Sequence, residues 1–176
     1  MKNRDRLSKM ITAALFLAIA YILPFLTGQI PEIGAMLCPM HLPVLLCGFL
    51  CGWPFAPAVG FIAPLFRSLT LGMPPFFPGG VCMAFELFTY AATAALMRRI
   101  LPKKRGYIYL SLLAAMLAGR AVWGLAMFIC LGATGGAFTF AAFLAGAFTS
   151  ALPGIILQLV LIPPLVMVLD NQQQKR

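Results

Sequence analysis

Acidic side chains and histidine are nearly missing from this sequence: four Asp and Glu and a single His in 176 residues. That scarcity leaves little for catalysis. No His-Glu-x-x-His, Gly-x-Ser-x-Gly or Asp-rich pair occurs, so an enzyme is not expected. No Gly-x-x-x-x-Gly-Lys-Ser/Thr phosphate loop is present either, so any ATP used in its function must be bound by a partner, and no cofactor is expected on this chain. Five cysteines, Cys38, Cys47, Cys51, Cys82 and Cys130, are an odd number. Cys47 and Cys51 share a helix face, but no second His or acidic cluster joins them, so no metal site is expected. No small-residue cleavage site follows the first apolar run; Tyr21-Ile22-Leu23-Pro24-Phe25 stands there, and the run reads as a retained helix. No internal repeat of the transporter type is visible.

What is present is apolar. Hydrophobic residues make up 62% of the chain and charged ones only 10%. Such a composition points to a multi-pass membrane protein. The net charge of +9 would suggest nucleic acid in a soluble domain; here the preference of Lys and Arg for cytoplasmic segments explains it, and no nucleic-acid partner is expected.

Apolar runs at about 10–27, 40–51, 55–71, 80–97, 107–131 and 138–169 give six spanning helices in one all-α domain over 1–176. Pro153, Pro163 and Pro164 predict a kinked last helix. The basic residues test the count. They cluster at Lys2, Arg4, Arg6 and Lys9, at Arg98, Arg99, Lys103, Lys104 and Arg105, and at Lys175 and Arg176. Six crossings put all three clusters on the cytoplasmic side, with both termini. Merging 40–71 into one helix would put the middle cluster outside, so the break at Gly52-Trp53-Pro54 is supported. The second helix is then short. The external loops become 28–39, 72–79 and 132–137; the first two, rich in Gly, Pro and apolar residues, can fold as lids.

Away from the clusters and chain ends, the ionisable residues are Glu32, His41, Arg67, Glu86 and Arg120. In this topology all lie in the outer half. Intramembrane charges are costly and mark functional sites, although Glu86 and Arg120 could also simply pair and hold two helices together. Helical spacing puts Tyr90 beside Glu86 and Trp123 beside Arg120, a setting that suits a small amphipathic ligand. The candidate substrate-binding set is therefore His41, Arg67, Glu86, Tyr90, Arg120 and Trp123. On the first helix, Ala14 and Ala18 form a small-xxx-small pattern that admits close approach of another helix.

Together these features resemble the substrate-binding S component of energy-coupling factor (ECF) transporters. The most specific part of the match is the stretch from Met40-His41-Leu42-Pro43 through Pro64-Leu65-Phe66-Arg67-Ser68 to Gly72-Met73-Pro74-Pro75 and Ala84-Phe85-Glu86-Leu87. The resemblance implies the vitamin-capturing subunit of a bacterial plasma-membrane importer. It also implies partners: a transmembrane coupling subunit, contacted by the Ala14/Ala18 surface, and two ATPase subunits. Two arginines and a histidine set against Glu86 favour a ligand with a carboxylate, such as pantothenate. The competing readings are a self-contained carrier or channel and, less favoured, a membrane enzyme.

Overall fold

In the computed structural model, described over residues 2–27, 30–102 and 104–174, every regular element is helical. Lys103, Lys175 and Arg176 of the basic clusters lie outside the described residues. The α-helices are α1 (Lys2–Ile22), α2 (Pro31–Leu37), α3 (His41–Leu50), α4 (Phe55–Leu71), α5 (Val81–Ile100), α6 (Arg105–Ala133), α7 (Phe140–Leu144) and α8 (Leu152–Gln174). Among the described residues four segments are long and apolar enough to cross a membrane: Asn3–Leu26, Phe76–Ile100, Arg105–Ala133 and Leu152–Asp170. His41–Leu50, Phe55–Leu71 and Phe140–Thr149 are shorter apolar helices.

The eight α-helices among the described residues exceed the six expected, for two local reasons. The segment read as an external loop over 28–39 contains α2, which opens with Pro31 in its first turn and Glu32 close behind. Proline is preorganised for that position, and an acidic side chain suits the positive end of the helix dipole. The run over 138–169 is interrupted at Ser150–Ala151, after a wide turn at Ala145–Thr149. Pro153 then sits at the start of α8, where its missing N–H costs nothing, while Pro163 and Pro164 stay inside that helix.

α5 is the hub, packed against α3, α4 and α6. Small residues make this possible. A Cβ added at Gly60 of α4 would lie 2.4 Å from the Leu87 carbonyl oxygen, and one at Gly48 of α3 would lie 2.8 Å from the Ala94 Cβ. On α6 the buried positions Ile108, Leu112, Ala115 and Gly119 repeat every three or four residues, the period of a helix face turned to a neighbour, and Arg120 is buried beside Gly119.

α3 has ten residues, about 15 Å at 1.5 Å per residue. Its shortness matters little, because His41 and Pro43 through Phe49 are all buried. It is an interior helix, packed against α1, α4, α5 and α8. α1 contributes Ala13, Phe16 and Ala20 to the core and leaves Ile11, Ala14, Leu15, Ala18 and Ile22 exposed.

Candidate substrate site

Glu86, in the second turn of α5, is 1% exposed. Two nitrogen-bearing side chains converge on it from other helices. Arg120 Nη1 of α6 lies 2.9 Å from Glu86 Oε1, and His41 Nε2, at the start of α3, lies 3.4 Å from the same oxygen. Tyr90, one turn beyond Glu86, places its ring edge-on to His41 at 5.2 Å between centroids. Gly119 gives that ring room: a Cβ there would lie 2.6 Å from the Tyr90 ring.

A residue not expected in the site completes it. Arg120 Nη2 donates to Cys38 Sγ at 3.5 Å. Cys38 ends α2 in the left-handed region (φ 47°) and is buried. A non-glycine residue there costs about 1–2 kcal/mol, but the conformation turns the chain sharply from α2 into α3 and brings the thiol over Arg120. Nothing in the sequence around Cys38 marks this role.

The cluster is close-packed yet underbonded. Glu86 Oε1 is near both side chains but accepts no well-aligned hydrogen bond. His41 Nδ1 and Nε2 and Arg120 Nε are also buried without a hydrogen-bond partner. Each such group costs about 1–3 kcal/mol. The donors and acceptors of a small polar molecule would satisfy them.

Arg67 and Trp123 go elsewhere. Arg67 is buried, but its Nη1 donates to the Tyr21 carbonyl at 2.8 Å, and its guanidinium lies 5.0 Å from the Phe25 ring centroid. Pro24, three residues after Tyr21, has no N–H to offer that carbonyl, so the arginine takes it. Trp123 stacks with Phe143 at 6.4 Å, meets Phe138 edge-on at 5.9 Å and packs on Gly146. It belongs to the α6–α7 aromatic cluster. Beside that cluster runs an open apolar groove lined by Gly124, Phe128, Phe140 and Phe143. Glu32 is exposed on α2. Among the described residues no group of His, Cys, Asp and Glu could hold a metal ion.

A protein-family model described as "ECF transporter, substrate-specific component" matches residues 8–166. The chain belongs to that family. No curated protein and no solved structure matches it. Membership makes it a multi-pass membrane protein and the substrate-specific component of an ECF transporter, which works in association with the energy-coupling module. The family is one of transporter components rather than of enzymes.

Proposed function

We propose that this S component captures a vitamin or related micronutrient at the His41–Glu86–Tyr90–Arg120 cluster, with Cys38 above Arg120. The observation that carries the reading is the set of buried, unbonded polar atoms drawn from α3, α5 and α6. A pair whose only task was to join two helices would gain from aligned hydrogen bonds; here the guanidinium and imidazole keep bonding capacity for a third party. α2 packs against α8 and leads directly into Cys38, which suits a lid over the bound molecule.

In this reading the chain crosses a bacterial plasma membrane six times, through α1, α3, α4, α5, α6 and the α7–α8 pair, with both termini in the cytoplasm. The basic residues support that orientation by the positive-inside rule. The partners are a transmembrane coupling subunit and two ATPase subunits, which bind and hydrolyse the ATP. Ala14 and Ala18, exposed and one turn apart on α1, suit close approach of a coupling-subunit helix. Mass spectrometry of small molecules released from the purified protein tests the capture step. A stoichiometric vitamin is the expected result; protein that holds none and binds no vitamin on addition would refute it.

A further inference from the structure

A buried polar group lies outside the cluster described above. Gln158 of α8 is 1% exposed, and its Oε1 has no hydrogen-bond partner. Two independent ties fix its height in the bundle. At one end, Arg98 of α5 pairs with Asp170 of α8. At the other, Gly154 of α8 meets the backbone of α2 so closely that an added Cβ would lie 2.8 Å from the Leu37 carbonyl. Leu37 precedes Cys38, which touches Arg120, which touches Glu86. α5 and α8 therefore run parallel between these ties. Glu86 lies twelve residues before Arg98, and Gln158 lies twelve residues before Asp170. Each separation is about 18 Å of helix. Gln158 is thus level with Glu86, one turn from Gly154 on the same face of α8, and α8 packs against both α3 and α6.

The charges at this level sum to zero. Arg67 is engaged at α1, so the excess of arginines that favours a carboxylate ligand is not present around Glu86. The Glu86 carboxylate and the Arg120 guanidinium carry one charge of each sign and cancel. A ligand anion would meet the Glu86 carboxylate and a ligand cation would meet Arg120; burying either beside a like charge is unfavourable.

We infer that Gln158 belongs to the substrate site and that the substrate is an uncharged polar molecule, one that accepts from Arg120 or His41 and donates an N–H or O–H to Gln158 Oε1. This rests on the capture reading above. An uncharged carboxamide opposite a neutral pair selects by hydrogen-bond pattern rather than by charge.

Equilibrium dialysis of the purified full chain tests both parts. The radiolabelled probes are riboflavin, pyridoxine and nicotinamide (uncharged), pantothenate, biotin and nicotinate (anionic), and thiamine (cationic). The tightest binder is expected among the uncharged probes. Gln158→Met, similar in length and apolar, should weaken that probe about three- to tenfold, the worth of one neutral hydrogen bond, with an unchanged thermal midpoint. A charged probe that binds tightest overturns the substrate class and leaves the capture reading standing. Undiminished binding by Q158M overturns the assignment of Gln158. If wild type binds none of the seven and releases no co-purified small molecule, the capture reading itself falls and this inference with it. Should Q158M unfold, Gln158→Asn, which keeps the carboxamide but withdraws it by one methylene, takes its place with the same expected loss.

Discussion

Glu86 and Arg120 can be separated into a structural and a binding contribution by removing them singly and together. Glu86→Leu strips the carboxylate 2.9 Å from Arg120 Nη1 and leaves a guanidinium that is 7% exposed and has lost its counter-charge. Breaking one side of a buried ion pair costs about 3–5 kcal/mol, because the surviving charge stays desolvated. Arg120→Met should cost a similar amount by stranding Glu86. Replacing both by Leu and Met removes both charges with roughly matched volume, and such exchanges are often neutral or stabilising. The double variant should therefore recover to within about 1 kcal/mol of wild type. Thermal unfolding in detergent, followed by circular dichroism, reads the four corners of the cycle. Dialysis against the tightest-binding vitamin is run on the wild type and the double variant. The prediction is restored stability with binding lost. A double variant that binds as wild type does would refute the reasoning, since the pair would then only hold α5 to α6. Single variants as stable as wild type would contradict it from the other side.

Gly60→Ala drives a Cβ to 2.4 Å from the Leu87 carbonyl oxygen, a backbone atom that cannot rotate away; about 1–3 kcal/mol of stability should be lost, visible as a lower thermal midpoint. Gly154→Ala crowds the α2 backbone and should speed ligand release more than it lowers the midpoint, measured by chase with unlabelled ligand. Arg67→Met should lose stability through its contacts to Tyr21 and Phe25 while leaving the ligand Kd within about twofold of wild type, because its partners are on α1 and the turn after it. Ala14→Leu with Ala18→Leu alters two exposed positions, so folding and ligand binding should be unchanged, while co-purification with the coupling module is lost.

The all-helical, membrane-spanning character was legible because it depends on run length and on where Gly, Pro and charges interrupt. Gly72, for instance, closes α4 in the left-handed region at φ 68°, a conformation glycine adopts freely. α2 was hidden. Its seven residues are too few to show a period and too few to be stable alone; it exists because it lies on α8 where Gly154 leaves room. In the site, rarity was the signal. His41, Glu86 and Arg120 stood out as ionisable groups in apolar runs, and the structure brings them together with Tyr90. Arg67 had the same rarity, but its partner is a backbone carbonyl, which has no sequence signature. Trp123 follows Arg120 by three residues, which turns it about 60° around the helix, far enough to face α7 instead of α5. Gln158 reads in the sequence as the one sizeable polar group of the inner half; the Arg98–Asp170 pair, by setting the register of α8 against α5, raises it to the level of Glu86.

Uptake in proteoliposomes tests the central claim most directly. The chain is reconstituted alone, or with a coupling subunit and two ATPase subunits, and the vitamin found bound to it is supplied outside in labelled form. Accumulation that requires the whole module and ATP inside the vesicle is the predicted result. Accumulation by the chain alone would make it a self-contained carrier and contradict the account.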